Sequence, residues 1–309
     1  MRAWLFPGQG SQYVGMMRDL IEAFPVAQQY LQRAEAILGF KLGQLCFEGP
    51  EDLLRQTQYT QPALFVHEAI IVELVQDMIP ADAVAGHSLG EYSALYAAGV
   101  LHFEDALSLV QLRGQLMAEA GEQQRGSMVA VLGLEDAAVE ELCNRLSQKP
   151  DGGVLVAANY NAPGQVVVSG SAELVREAVE AFHTAGALKV VELAVSGAFH
   201  SPLMSSAQER LAEAILATPF RPPRVPVYCN VSGKPCREVE PLRQALIAQL
   251  TSPVQWKQTL HHMYADDVRE FVELGPGKVL QGLVRRTLQG VVVYGVDTTD
   301  DVRHILKQA

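Results

Sequence analysis

The feature of this sequence that most restricts its possible folds is the pentapeptide G-H-S-L-G at residues 86–90, which places Ser88 between two glycines. An apolar run at residues 83–85 precedes it and predicts a short buried strand, while residues 89–98 have the composition of a helix. A serine on so sharp a turn has a strained backbone, and flanking glycines remove side chains that would clash. The pattern predicts an α/β sheet with the Ser88 hydroxyl raised above it, although the five residues also fit a glycine-rich turn with an incidental serine.

Length and composition indicate an ordinary globular protein with a large core. The 309 residues suffice for one large domain, or for one domain with a smaller insertion, and 49% are hydrophobic against 19% charged. No apolar run approaches the roughly 18 residues that a membrane-spanning helix requires. Residues 1–8 are too soon interrupted by Pro7 and Gly8 to form a signal peptide, so we expect a cytoplasmic protein without a membrane partner.

The charge balance and the cysteines argue against two further classes of protein. A net charge of −11 disfavours a nucleic-acid partner, because binding to phosphates needs concentrated lysine and arginine. The cysteines have neither a C-x-x-C motif nor the spacing of metal ligands, which is typical of reduced, mostly buried thiols. They are Cys46, Cys143, Cys229 and Cys236. We therefore expect no bound metal, and we expect a monomer.

The order of predicted elements divides the chain into a large subdomain and a smaller inserted one. Outside residues 126–195, alternating strands and helices predict a parallel sheet flanked by helices. Within that segment the pattern predicts the order βαββαβ of a split-βαβ unit. Its predicted strands are residues 127–132, 154–159, 165–170 and 187–193, and its predicted helices are residues 137–146 and 172–184. We assign residues 1–125 and 196–309 to the large α/β subdomain and residues 126–195 to the small one.

Hydrophobic patterns in the large subdomain predict its other elements. Residues 4–6 form the opening strand, and residues 11–79 are mostly helical, with interruptions that include Gln61-Pro62. The remaining predicted helices are residues 105–120, 203–217 and 239–250, and the remaining predicted strands are residues 227–231 and 268–274. No element is predicted beyond residue 277.

His200 is the histidine placed best to act on Ser88. It lies in the segment S-G-A-F-H-S-P at residues 196–202, where the chain leaves the inserted subdomain. A loop at such a boundary can face a cleft, and a histidine there can accept a proton at neutral pH. The alternative is a loop histidine without a functional partner.

Arg113 is the more informative charge because it lies on the apolar face of its predicted helix. It stands four residues after Leu109 and four before Met117, so it shares their stripe rather than the polar face. Burying a guanidinium is costly unless an anion meets it, either a protein carboxylate such as that of Glu91 or the carboxylate of a substrate. The planar fork of arginine can bind a carboxylate through two hydrogen bonds, which suits it to the second role.

Several motifs, taken together and in order, resemble those of the malonyl-CoA:acyl-carrier-protein transacylases. They are F-P-G-Q-G-S-Q at residues 6–12, T-Q-P-A at 60–63, residues 86–94, Arg113, residues 161–165, F-H-S at 199–201 and G-P-G-K at 275–278. The resemblance extends over residues 4–286. It implies an α/β-hydrolase-like large subdomain with a parallel sheet and a ferredoxin-like small subdomain, in agreement with the βαββαβ order predicted separately.

The resemblance also implies roles for individual residues. Ser88 matches the acyl-accepting nucleophile and His200 the general base. Gln249 matches a residue whose main-chain carbonyl orients that histidine in place of a triad acid. The backbone N–H groups of Gln9 and Leu89 match the oxyanion hole. The residues that match the substrate pocket are Arg113 for the malonyl carboxylate, Gln61 for the lining and Phe199 for the space that an α-methyl branch would need.

The activity that the resemblance implies is transfer of malonyl from malonyl-CoA to the phosphopantetheine thiol of an acyl carrier protein, through a malonyl-serine ester and without a bound cofactor. Residues 53–65 and 196–200 look more like the discrete acyltransferases of polyketide synthases than like fatty-acid enzymes, so we expect polyketide supply. An acyl-thioester hydrolase of the same fold is the alternative enzyme, but it would not need Arg113. A non-catalytic docking module for carrier proteins is the alternative outside enzymes.

Docking of an acidic carrier protein onto this acidic chain requires local positive charge. Four basic residues are candidates for that surface. The alternative interpretation is that they are ordinary solvated charges without a partner. They are Lys189, Lys278, Arg285 and Arg286.

Overall fold

The computed structural model describes residues 1–148 and 153–308, and within these residues it has two β-sheets covered by helices. The strands are β1 (Arg2–Phe6), β2 (Ala83–Gly86), β3 (Gly126–Leu132), β4 (Leu155–Ala162), β5 (Gln165–Ser171), β6 (Lys189–Glu192), β7 (Val227–Tyr228), β8 (Pro235–Cys236), β9 (Glu270–Leu274) and β10 (Val292–Val296). The helices before β4 are α1 (Arg18–Ala23), α2 (Pro25–Leu38), α3 (Leu42–Glu48), α4 (Glu51–Leu54), α5 (Thr57–Val75), α6 (Gly90–Ala97), α7 (Phe103–Gln123) and α8 (Asp136–Ser147). The later helices are α9 (Ala172–Thr184), α10 (Ser205–Ala217), α11 (Val239–Ala248), α12 (Trp256–Ala265), α13 (Val279–Thr287) and α14 (Thr299–Gln308), with 3₁₀ turns at Pro202–Met204 and Gln249–Thr251.

The larger sheet has the strand order β10-β9-β1-β2-β7-β8 and is parallel except for β8. Its central strands β1, β2 and β9 are almost wholly buried, as expected for a parallel sheet covered on both faces. Phe6 pairs with Gly86 in register, so β1 and β2 end side by side. The loop after β1 and the G-H-S-L-G turn after β2 therefore meet at the carboxyl edge of the sheet, where α/β folds place their binding sites.

The smaller sheet is antiparallel, has the order β4-β5-β3-β6, and packs against α8 and α9. Its core contains the buried valines of β3 and β5 together with Phe182 of α9. This is the predicted βαββαβ unit, since two helices cross between strands that all pair antiparallel. The predicted fold class, an α/β parallel sheet with an inserted antiparallel unit, is confirmed.

Two predictions for the large subdomain are wrong: an interruption of a helix and the length of a strand. The interruption at Gln61-Pro62 does not occur, because Pro62 lies inside α5, where the surrounding side chains are buried and tertiary packing outweighs the one N–H that proline lacks. The strand predicted over residues 227–231 ends at Tyr228, because the chain then makes a turn in which the Gly233 N–H bonds to the Cys229 carbonyl.

Elements beyond residue 277 were not predicted, although α13 and α14 both carry strongly amphipathic patterns. β10 is the edge strand next to β9, and α13 precedes it along the chain. In the described part of the chain, none of the helices combines the length and the apolar character needed to cross a bilayer.

β4 joins the small sheet to the large subdomain. The Tyr160 N–H donates to the Val254 carbonyl at 2.9 Å, and the Val254 N–H donates to the Ala158 carbonyl at 2.8 Å. An ion pair between Lys257 and Asp136 adds a second connection. These contacts fix the small sheet over the carboxyl edge of the large one, and a cleft lies between them.

Candidate active site

The G-H-S-L-G turn joins β2 to α6 with Ser88 in the left-handed region, at a φ of 53°. A Cβ at Gly86 would lie 1.8 Å from the Gly90 carbonyl oxygen, and a Cβ at Gly90 would lie 2.1 Å from the Phe6 carbonyl oxygen. Neither position has room for any side chain, because the backbone segments cross in direct contact. The two glycines therefore allow the strained turn that exposes the Ser88 hydroxyl.

Asn230 holds this turn, and the sequence did not single it out. Its Oδ1 accepts the Ser88 backbone N–H at 2.7 Å, while its Nδ2 donates to the Gly86 carbonyl at 2.6 Å. It is buried and lies just past β7, which neighbours β2 in the sheet. Its position after a buried strand was the available signal, since the carboxyl ends of parallel strands meet at one edge.

Ser88 and His200 lie in hydrogen-bond contact although 112 residues separate them. The distance from Ser88 Oγ to His200 Nε2 is 2.7 Å, and His200 Nδ1 lies 3.0 Å from the Gln249 carbonyl oxygen. That carbonyl can accept a hydrogen bond only from a protonated Nδ1. Nε2 of the neutral imidazole then carries the lone pair that accepts the hydrogen bond of the serine hydroxyl. Burial and the nearby Arg113 guanidinium lower the pKa of His200 to about 3. The imidazole is therefore neutral at neutral pH, and its Nε2 lone pair is free to accept a proton.

Arg113 is 1% exposed and reaches the same point from α7. Its Nη1 donates to Gln61 Oε1 at 2.8 Å, and its Nη2 donates at 3.0 Å to both Gln249 Oε1 and Ser88 Oγ. Its Nε has no hydrogen-bond acceptor among the described residues. The direct ion pair with Glu91 considered from the sequence is not formed, because the Glu91 carboxylate accepts from the Gln249 amide instead.

A cavity of about 310 Å³ opens beside Ser88, and both sheets contribute to its walls. Every residue assigned to the site from the sequence except Gln249 lines it. They are Gln9, Gln61, Ser88, Leu89, Arg113, Phe199 and His200. Gln249 lies behind Arg113 and His200, with which it forms hydrogen bonds.

Two backbone N–H groups next to Ser88 lack acceptors within the part of the chain that the structure describes. They belong to Gln9, in the loop after β1, and to Leu89, at the start of α6. A Cβ at Gly8 would lie 2.6 Å from the His87 carbonyl oxygen, so glycine there lets the loop approach the turn. Unpaired N–H donors beside a nucleophile can stabilise a developing oxyanion.

His87 and Asn161 also line the cavity, although no individual role was predicted for either residue. His87 Nε2 lies 2.8 Å from Asn161 Oδ1, and the imidazole packs against Trp256 with 5.4 Å between ring centroids. Asn161 lies at a bulge of β4, so this contact connects the turn of the large sheet to the small sheet across the cleft. A bulge that aims a side chain into a site is a common feature of binding clefts.

The four basic residues proposed for docking do not line a single cavity. Arg286 donates to Gln165, a residue of the cavity wall, at 2.6 Å. Arg285 instead bonds to the Val293 carbonyl of β10 and, with Lys278, borders a separate cavity. Lys189 is exposed on β6. Of the four, Arg286 is therefore the one hydrogen-bonded to a residue that lines the cavity beside Ser88, within the described part of the chain.

The chain resembles proteins of known class along its whole length. Residues 3–302 match the family model described as acyl transferase domain. The malonyl CoA-acyl carrier protein transacylase of Bacillus subtilis (strain 168) is 40% identical over 310 aligned positions, which cover 99% of this chain and 97% of the relative. The protein of the same name from Escherichia coli (strain K12) is 42% identical over 287 positions, 92% of each chain.

Solved structures give the same result. A malonyl-transacylase in complex with a type II PKS acyl-carrier protein has a TM-score of 0.95 and 39% identity, covering 100% of this chain and 99% of that one. The transacylase of Coxiella burnetii has a TM-score of 0.94 and 37% identity, covering 99% and 97%. The fold and the full-length match define an acyltransferase. Within that class, the chain belongs to the malonyl-CoA:acyl-carrier-protein transacylase family.

Proposed function

We propose that this protein transfers malonyl from malonyl-CoA to the phosphopantetheine thiol of an acyl carrier protein through a malonyl ester on Ser88. One observation carries the proposal. The Ser88 hydroxyl lies 2.7 Å from a neutral, buried imidazole and 3.0 Å from a buried guanidinium at the wall of one cavity. The first group is the base that a serine nucleophile needs, and the second is a cation that a diacid can pair with.

In the first half-reaction His200 Nε2 takes the proton of Ser88 Oγ as the oxygen attacks the thioester carbonyl of malonyl-CoA. The carbonyl electrons move onto oxygen, and the Gln9 and Leu89 N–H groups stabilise that charge by about 3 kcal/mol. The oxyanion then collapses, the carbon–sulfur bond breaks, and the proton on Nε2 passes to the departing CoA thiolate. Malonyl-Ser88 and free CoA remain.

In the second half-reaction the carrier thiol gives its proton to His200 Nε2 and attacks the malonyl-Ser88 carbonyl. The same N–H groups stabilise the second oxyanion. The carbon–oxygen bond then breaks and the proton returns to Ser88 Oγ, which restores the free enzyme. Because CoA leaves before the carrier thiol reacts with the malonyl-Ser88 ester, the reaction follows a ping-pong sequence.

Arg113 supports transfer over hydrolysis. Its contacts in the free protein are the oxygens of two neutral amides and of one hydroxyl, so its charge has no direct carboxylate partner among the described residues. A malonyl carboxylate would supply that partner and an acceptor for the unpaired Nε. A hydrolase of uncharged acyl thioesters would have to leave this charge buried and unpaired, which is costly.

Mass spectrometry of the intact protein tests the proposed function. Incubation with malonyl-CoA should add one malonyl group, mapped to the peptide that contains Ser88, because no thiol acceptor is present to remove it. Addition of an acyl carrier protein in its phosphopantetheine form should return the enzyme to its original mass and malonylate the carrier. Release of free malonate instead would indicate the hydrolase, and an unmodified protein would indicate the docking module.

Phe199 should make the enzyme selective for malonyl over methylmalonyl. It is buried, lines the cavity and precedes the proposed base, so we expect its ring to occupy the space that an α-methyl branch would need. Overpacking by one methyl group predicts a preference of about 30-fold for malonyl-CoA in a competition between the two thioesters. Phe199→Ala should bring the ratio close to one. Equal loading of both thioesters by the wild type would contradict this role.

For the pathway we retain the polyketide carrier as the proposed acceptor, on the resemblance of residues 53–65 and 196–200 alone. The genes that flank the coding sequence test this choice. Polyketide synthase genes there would support it, and a cluster of fatty-acid synthesis genes would contradict it.

A further inference from the structure

We propose that Glu91 is a positioning residue for this reaction: its carboxylate orients the side-chain amide of Gln249, which in turn presents an oxygen to the Arg113 guanidinium. The inference rests on the proposed function, because it concerns the cation assigned to the malonyl carboxylate. Glu91 belongs to the first turn of α6, three residues after Ser88, and is 2% exposed. Glu91 lies within the motif at residues 86–94, and the sequence offered it only as an ion-pair partner for Arg113.

The contacts of Glu91 require a carboxylate without a proton. Its Oε2 accepts the Gln249 Nε2–H at 2.7 Å, and its Oε1 accepts the Asn230 backbone N–H at 3.3 Å. Both neighbours are donors, so each oxygen must be an acceptor. A glutamine would turn an NH₂ donor toward one of these N–H groups and lose that hydrogen bond inside a buried site, and a protonated carboxyl would keep only a weaker acceptor at its hydroxyl oxygen.

The orientation of the Gln249 amide decides what Arg113 meets. A free glutamine amide can exchange the positions of its oxygen and nitrogen, but here Nε2 has two acceptors, Glu91 Oε2 and the Ser88 carbonyl at 2.8 Å. The oxygen Oε1 is therefore left for Arg113 Nη2, at 3.0 Å. Arginine has donors only, so the reversed amide would place an NH₂ against the guanidinium and displace it. Gln249 also carries the carbonyl that orients His200.

These contacts give the reaction a pH dependence that His200 does not supply. Burial raises the pKa of Glu91 to about 7, against the lowering effects of Gln249, Asn230 and Arg113. The charged or titratable groups around Glu91 are Arg113 on α7, Tyr92 on its own helix and Cys229 after β7, and burial raises the pKa of both Tyr92 and Cys229 far above neutrality. The pKa of His200 is about 3. As the pH falls through about 7, Glu91 takes up a proton and malonyl transfer should slow.

The test is the pH profile of kcat/KM for malonyl-CoA between about pH 5.5 and 9. The wild type should show an acid limb near pH 7. Glu91→Gln should lose about 30-fold at the alkaline end and show no limb, because its side chain cannot change charge. The control is Glu68→Gln, a second fully buried glutamate on α5 whose pKa burial raises well above its usual value. Glu68 makes none of the hydrogen bonds to Gln249 or Asn230 that define the role of Glu91, so its variant should keep the wild-type profile.

A second measurement needs only the wild type and so does not depend on whether a variant folds. A carboxylate that acted merely as a nearby negative charge would repel malonate, and its protonation would speed the reaction with malonyl-CoA. The positioning role predicts the opposite sign, with a steeper loss for malonyl-CoA than for acetyl-CoA, which has no carboxylate for Arg113. A rise below pH 7, or an unchanged limb in Glu91→Gln, would overturn the role of Glu91. If the wild type still forms malonyl-Ser88, either of these outcomes overturns only the role of Glu91 and leaves the proposed function intact. If the wild type forms no malonyl-Ser88, the proposed function and the role of Glu91 are both wrong.

Discussion

Replacing Ser88 with alanine should lower kcat/KM for malonyl transfer by about 10⁴-fold, and the further change His200→Ala should then cost little more. In the proposed mechanism the two side chains, which lie 2.7 Å apart, act as one unit, so removing either one should remove the covalent route. Steady-state rates of carrier malonylation for both single variants and the double variant measure this effect. The residual rate should reflect binding and the two N–H donors of the oxyanion hole alone.

Ser108→Ala is the matched control, since this serine is exposed on α7 and its hydroxyl only donates to the Glu104 carbonyl. Its rate should equal that of the wild type. A double variant whose loss equals the product of the two single losses would mean that Ser88 and His200 contribute independently, which is incompatible with a base acting on this hydroxyl.

Replacing Arg113 with alanine should lower kcat/KM for malonyl-CoA by about 10²- to 10³-fold while acetyl-CoA loses much less, because only malonyl loses a buried ionic partner. Loading of Ser88 from an equimolar mixture of the two thioesters, read by mass, measures the shift in preference. Arg113→Lys should recover only part of the malonyl rate, because an ammonium keeps the charge but not the planar fork.

The surface variant Arg210→Ala controls for loss of an arginine in general. Its guanidinium pairs with Glu119 at the surface, and such exposed pairs contribute little. Undiminished uptake of malonyl by Arg113→Ala, or a wild-type preference for acetyl-CoA, would contradict the assignment of the cation to the substrate carboxylate.

Predictions that depend on neighbouring residues agree well with the structure. The glycines around Ser88 predict a strand-to-helix turn, because the need for residues without a Cβ is set by the turn itself. In the structure, the backbone contacts of Gly86 and Gly90 leave no room for a Cβ. The βαββαβ order follows in the same way from periodicities of two and 3.6 residues. The place of Arg113 in an apolar stripe predicts its burial, since helical spacing puts it beside Leu109 and Met117. Pro62 is one exception, because burial of α5 outweighs a local breaker.

By itself the sequence determined a sharp, glycine-flanked serine turn, an inserted antiparallel unit and a cation on a buried helix face, since each depends on local spacing along the chain. Only the tertiary structure decided which groups meet that cation and hold that turn: the amides of Gln61 and Gln249 in place of the Glu91 carboxylate, and Asn230 beneath the serine. Gln249 lies 136 residues from Arg113, and Asn230 lies 142 residues from Ser88. Their meeting depends on the order of strands in the large sheet and on how the helices pack over it, and no local pattern specifies either.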